Sequence, residues 1–190
     1  MPVQIERRNN MLKHNKVLTL TLAFLCCLAL ALPVLAAEKL RIQGKAMQVK
    51  DGDTVVIAPV EGGQFFVCRL YGIDAPETEH RGKPGQPYGE ESAKYLKRLI
   101  LGQTVTVQTT GQKTYNREVC LISKDGQDIN LEMVKAGYAW AYRQYLKRPY
   151  ASEYISAEAE ARNKRLGLWQ QNNPTPPWEW RKLNRRKGIF

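Results

Sequence analysis

Histidine is almost absent from this chain: His14 and His80 are the two in 190 residues. A zinc or copper centre built on imidazole therefore has little to work with, since those metals draw on His and Cys ligands. Cysteine is equally sparse, at Cys26, Cys27, Cys68 and Cys120. Once the N-terminal segment considered next is set aside, Cys68 and Cys120 remain. Two are too few for a disulfide-rich scaffold or a four-cysteine zinc site. Acidic residues are also short, 18 against 29 Lys and Arg, for a formal net charge of +11. A cationic surface suits a polyanion, whether nucleic acid, anionic lipid or acidic polysaccharide, and charge does not choose among them. Solubility alone is the plain alternative. No internal repeat is visible.

Long hydrophobic runs are lacking except at the N-terminus. Arg7, Arg8, Lys13 and Lys16 precede an uncharged stretch from Val17 to Ala37, and Val34-Leu35-Ala36 offers small residues for cleavage before Ala37. Residues 1–36 are therefore expected to be a signal peptide, making the protein exported, periplasmic or secreted. The run also reaches the ~20 residues that span a bilayer, so an uncleaved anchor is the competing reading, and only that reading brings in a membrane. Met11 is an alternative start. Leu25 and Cys26 stand where a lipobox needs a small residue, which argues against a lipoprotein. Without residues 1–36, 25 basic and 17 acidic residues remain, a net +8, so the basic character belongs to the mature part. That part is long enough to bury a substantial core. It divides into a domain over 37–171 and a Pro/Trp-rich, basic tail over 172–190.

The first half of the domain alternates as strands do. Leu40–Gly44 and Ala46–Val49 lead to a tight Asp51-Gly52-Asp53 turn. Thr54–Ile57, Gln64–Tyr71, Thr104–Thr109 and Glu118–Ser123 follow, the last starting near Arg117. Three helices are expected: Tyr88–Leu101, with Ala93, Leu96, Leu99 and Ile100 on one side, Ile129–Ala136 and Tyr150–Leu166. Each stops at a glycine, Gly102, Gly137 and Gly167. Five strands with late helices make an α+β class, and a small barrel is one closed solution among others. Pro174, Pro176 and Pro177 lead the tail to be read as extended.

Two short segments carry chemistry. Val49-Lys50-Asp51-Gly52-Asp53-Thr54 and Arg69-Leu70-Tyr71-Gly72-Ile73-Asp74-Ala75-Pro76-Glu77-Thr78 each place carboxylates where an apolar strand ends in a turn. Taken singly, the first is a hairpin turn and the second a strand exit fixed by Pro76. Together, with Arg69 on the strand feeding the second, they suit a hard cation that takes several oxygen ligands in irregular geometry.

The ordered set Asp-Gly-Asp-Thr, Arg-x-x-Gly-Ile-Asp-Ala-Pro-Glu-Thr and Tyr88-Gly89 opening a helix resembles the staphylococcal nuclease (thermonuclease) family. Tyr115-Asn116-Arg117 is similar to that family's Tyr-Gly-Arg motif, and Pro177-Trp178-Glu179-Trp180-Arg181 resembles a tail of bacterial members. The likeness covers roughly residues 40–181. It implies a five-stranded OB-fold β-barrel with three α-helices that hydrolyses DNA and RNA as substrates in a Ca²⁺-dependent reaction that leaves 3′-phosphate ends. It implies Ca²⁺ ligation by Asp53, Asp74 and the Ala75 carbonyl, with Asp51 and Thr54 behind them. Arg69 and Arg117 match the phosphate-gripping arginines, and Glu77 the residue that activates or orients water. Tyr115 matches a tyrosine that contacts a nucleotide phosphate. No protein partner is implied, and a monomer is expected.

Several points depart from the family pattern or stay open. Thr114 replaces the usual basic residue before Tyr115, and Lys113 stands next to it as a substitute. Asn116 replaces a glycine and is expected to take its positive φ. Tyr142 and Tyr145 both lie where a base-stacking tyrosine is expected, and packing beside Trp140 is the plain alternative for either. If Arg69 and Arg117 point into the site, strand alternation turns Cys68 and Cys120 away from it; two separately buried thiols are the expectation, with pairing the alternative. A non-catalytic nucleic-acid-binding module on the same barrel is the rival function. Retention of Asp53, Asp74, Glu77 and both arginines argues for the enzyme.

Overall fold

The computed structural model describes residues 40–80, 82–186 and 188, so the expected signal peptide lies outside the described residues. Strands β1 (Arg41–Asp51), β2 (Thr54–Pro59) and β3 (Phe66–Leu70) form an antiparallel meander. Strand β5 (Thr104–Thr114) pairs with β1, and β6 (Arg117–Lys124) with β5. Parallel pairing of β3 with β6 then closes the sheet into a five-stranded barrel. Closure needs curvature, and β1 supplies it through register shifts between Ala46 and Gln48 and between Val49 and Asp51. The second shift brings Asp51 to the barrel rim.

Alternation fills the barrel. Val55 and Ile57 of β2, Cys68 and Leu70 of β3, Val105 and Val107 of β5, and Cys120 and Ile122 of β6 are all buried. Helix α1 (Gly89–Ile100) covers one end with Ala93, Leu96 and Ile100, the face expected from its spacing. Its acidic first turn and basic last turn complement the helix dipole.

Short pieces then position the rest. Strand β4 (Ile73–Asp74) pairs with β8 (Trp140–Ala141), and β7 (Gln127–Asp128) turns back antiparallel against the end of β6. Helix α2 (Ile129–Lys135) is capped by the Asp128 carboxylate, which accepts from Leu131 N at 3.0 Å and from the Tyr154 hydroxyl at 2.9 Å. Tyr154 belongs to α3 (Ala151–Asn163), so the cap also joins two helices. Buried Asn130 donates to the carbonyls of Tyr71 and Cys120 and accepts from Ile122 N, tying α2 to the barrel.

Three expectations are corrected. The tail is not simply extended: beyond the three expected helices, a fourth, α4, runs over Pro177–Arg186. Proline cannot continue a helix, but at the first helical position its missing N–H is one the helix leaves unpaired anyway. Cys68 and Cys120 are not separate thiols but a disulfide, with Cα atoms 5.7 Å apart. Closure of β3 onto β6 is what brings them within reach. At the β5–β6 turn the positive φ falls on Tyr115 (+55°) and not on Asn116. No described helix is long and apolar enough to cross a membrane.

Candidate active site

The barrel rim gathers the two acidic segments because Thr54 pairs with Arg69 across β2 and β3. Asp53, in the β1–β2 turn, is held by its own backbone oxygen, which accepts from Leu70 N at 2.8 Å. Its carboxylate accepts from Ala75 N at 2.9 Å and from the Thr54 hydroxyl at 3.0 Å. Asp51 accepts from Asp53 N at 3.0 Å and so fixes the turn from behind. Gly52 is needed there, because a Cβ would lie 1.9 Å from Ser92 Oγ and 2.7 Å from Ala75 Cβ.

Arg69 ties the two segments together. Its Nη1 donates to Asp53 Oδ1, and its Nη2 to Asp74 Oδ1 at 2.6 Å. Asp74 is fully buried, fixed by pairing of β4 with β8. Glu77 follows on the loop, and Gln86 braces it, donating N–H to the Glu77 carbonyl at 2.8 Å. Gly89 matters here: a Cβ would meet the Glu77 carbonyl oxygen at 2.1 Å, so glycine lets α1 start directly against that loop. Arg117 opens β6 beside the same rim, its Nη1 3.5 Å from the Thr54 hydroxyl.

Burial raises the carboxyl groups of Asp51, Asp74 and Glu77, and Asp51 reaches about 8 with the help of the neighbouring Asp53 charge. Hydrogen bonding and charge from Arg181 and Arg69 work against the rise at Asp74. Burial disfavours the Arg69 guanidinium, yet the Asp53 and Asp74 charges outweigh it and push its pKa upward. Pairing with Arg69 and Arg181 thus offsets part of the cost of burial at Asp74, while Asp51 keeps its proton up to about pH 8. It opens on a cleft of about 1230 Å³ whose lining includes Asp53, Arg69, Glu77, Arg117, Tyr142 and Arg181.

Residues 67–171, more than half of the chain, match the family model described as staphylococcal nuclease homologue. The chain belongs to the staphylococcal nuclease family. An uncharacterized endonuclease of Haemophilus influenzae is 36% identical over 146 residues, covering 77% of this chain and 76% of the relative. An uncharacterized endonuclease of Escherichia coli O157:H7 is 37% identical over 150 residues, with 78% and 89% covered. A micrococcal nuclease of Shigella flexneri is 34% identical over 152 residues, with 75% and 82% covered. Plant relatives are longer: the chain covers 33% of an uncharacterized 38.1 kDa protein of Capnoides sempervirens. By family, this protein is a nuclease and hence a hydrolase.

The remaining residues singled out in the sequence of this nuclease, Lys113, Tyr115, Tyr142 and Tyr145, line the same cleft. Lys113 forms a surface ion pair with Glu118 at 2.7 Å, and Tyr115 is 91% exposed. Tyr142 lies face to face with Trp178, centroids 5.2 Å apart, while Tyr145 meets Tyr142 edge-on and stays half exposed. Tyr145 therefore keeps the freer ring.

Arg181 was missed. From α4 its Nη1 donates to Glu77 at 2.6 Å and to Asp74 Oδ1 at 3.1 Å, and its Nη2 to Asp74 Oδ2 at 2.7 Å. A usable signal existed, because Trp178 and Trp180 in an otherwise polar tail need somewhere to be buried. Trp178 finds it against Tyr142 and Trp140, and Gln86 anchors the approach by donating to the Thr175 carbonyl at 2.5 Å.

The oxygen donors suit a hard cation: the carboxylates of Asp53, Asp74 and Glu77 meet around Arg69 and Arg181 without histidine or cysteine. Among the described residues, no group of three or more His, Cys, Asp or Glu side chains is arranged as a ready metal cage. Arginines engage both oxygens of Asp74 and one oxygen each of Asp53 and Glu77.

Proposed function

We propose that this protein is an exported, Ca²⁺-dependent endonuclease that hydrolyses phosphodiester bonds of DNA and RNA with little sequence preference, leaving 3′-phosphate ends. The observation that carries the reading is Arg69 spanning Asp53 and Asp74 at the rim of a cleft that also exposes Glu77 and Arg117. A phosphodiester is anionic, and attack by water places further charge on its equatorial oxygens. Asp53, Asp74 and the Ala75 carbonyl would hold Ca²⁺, which when bound supplies Lewis-acid stabilisation of that charge.

The chain's own groups do the rest. Arg69 and Arg117 present planar, permanently charged forks that match two phosphate oxygens, which Lys cannot reproduce. Loss of one such donor typically removes ~3–4 kcal/mol of transition-state stabilisation. Glu77 accepts the proton of the attacking water or orients that water; its burial-raised pKa makes it a better base than a solvated carboxylate. The half-exposed ring of Tyr145 offers a face to one base without reading its edge, consistent with low sequence preference.

Digestion of 5′-labelled single-stranded DNA and RNA by the purified protein tests this reading. Cleavage of both with 3′-phosphate products is expected, and 3′-hydroxyl products would contradict the assigned direction of attack. Export rests on residues 1–36 and is tested by N-terminal sequencing of extracellular protein, with Ala37 as the expected first residue.

A further inference from the structure

Both oxygens of Asp74 are engaged by guanidinium groups. Oδ1 accepts from Arg69 at 2.6 Å and from Arg181 at 3.1 Å, and Oδ2 accepts from Arg181 at 2.7 Å. The same Arg181 Nη1 reaches Glu77 Oε1 at 2.6 Å. Asp74 itself is fully buried, so its charge persists only with a counter-charge in contact. A cation bound through Asp74 would meet the Arg181 guanidinium at the same carboxylate, and like charges in a partly buried site repel strongly.

We infer that Arg181 is a tethered counter-ion of the active site, which holds Asp74 and Glu77 until a divalent cation displaces it from Asp74. This rests on the calcium reading of the site given above. The arm is built to stay close after displacement. Trp178 is stacked on Tyr142 with 1° between the rings and meets Trp140 edge-on, and Pro177 and Asn184 are buried. These contacts anchor α4 independently of the Arg181 side chain. A side chain on an anchored helix returns to its carboxylates as an intramolecular ligand, with a high effective concentration. Arg181 is thus a positioning residue: it keeps the carboxylates charged and oriented, and it sets the cation concentration at which the site loads.

Calcium binding to the full mature chain without nucleic acid, followed by isothermal titration calorimetry, tests the inference. Two ligands that compete for one carboxylate obey reciprocal coupling, so removing one tightens the other. Arg181→Gln is expected to bind Ca²⁺ about tenfold or more tighter than the parent protein, and Arg181→Lys, which keeps the charge but not the fork, to fall between. Arg185 lines the same cleft without a carboxylate contact in the cluster, so Arg185→Gln controls for general charge; its affinity is expected to change by less than about threefold. Far-UV circular dichroism checks that each variant is folded. Equal or weaker Ca²⁺ binding by Arg181→Gln, with the parent binding normally, overturns the inference and makes Arg181 a support for the cation. Failure of the parent and every variant to bind Ca²⁺ overturns the calcium reading itself.

Discussion

Arg69 and Asp74 share a part-buried ion pair of 2.6 Å, and the other arm of the same guanidinium holds Asp53. One side chain thereby sets the spacing of two carboxylates that come from different segments. Arg69→Lys keeps the charge but cannot fork, and a fall of about 10²-fold in kcat on single-stranded DNA is expected. Arg69→Ala also leaves two buried carboxylates short of a partner, so ~3–5 kcal/mol of stability should be lost as well. Steady-state kinetics and urea unfolding of both variants separate the two effects; full activity of Arg69→Lys contradicts the bidentate role.

Cys68 and Cys120 close a loop with a sequence separation of 52. Chain-entropy arguments give such a crosslink roughly 4 kcal/mol. The double substitution Cys68→Ala/Cys120→Ala should lose stability on that scale in urea while retaining activity below its midpoint, since both side chains face the core. Thiol counting on the denatured mature protein should find no free thiol before reduction and two after. Two free thiols without reductant contradict the bridge.

What could be read from the chain was mostly local. The alternation of Val55 and Ile57, the α1 face of Ala93, Leu96 and Ile100, and the two acidic segments are patterns within a few residues of one another. Each reappears in the fold. The disulfide was legible only as the alternative to two free thiols, because it depends on which strand closes the barrel, a long-range pairing of β3 with β6. Arg181 was hidden for a similar reason, lying 107 residues from Asp74 in a segment whose prolines suggested an extended tail. The Tyr115 conformation follows from turn geometry that residue type alone does not fix: Asn tolerates a positive φ better, yet the turn assigns it to its neighbour.

Asp51 has a carboxyl raised by burial and by Asp53 from the ordinary 3.8 to about 8, and Asp74 and Glu77 shift in the same direction. Between those values the folded state holds a proton that the unfolded state releases. Stability without added cation should therefore fall as pH rises from about 4 to about 8. Urea midpoints in chelator at about pH 5 and about pH 8.5 check the sign, and Asp51→Asn should flatten the slope. A midpoint that rises over this range contradicts the assignment.

Gly89 permits the approach of α1 to the Glu77 carbonyl, where a Cβ would lie at 2.1 Å. Gly89→Ala must push the Glu77 loop away, with a stability loss of ~1–3 kcal/mol. Because the displaced loop carries Glu77, activity should fall further than stability alone explains, by about 10²-fold at temperatures where the variant is folded. Thermal melts beside kinetics test this, and unchanged kcat in the folded variant contradicts it.

The central claim is that the Asp53–Asp74–Glu77 cluster with Arg69 and Arg117 runs a calcium-assisted phosphodiester hydrolysis. The most direct measurement is digestion of single-stranded DNA by the purified mature protein in excess EGTA, followed by titration with Ca²⁺. No digestion in the chelator, full recovery on adding Ca²⁺, and little recovery in Asp53→Asn under the same titration are the results expected. Undiminished digestion in EGTA would contradict the account.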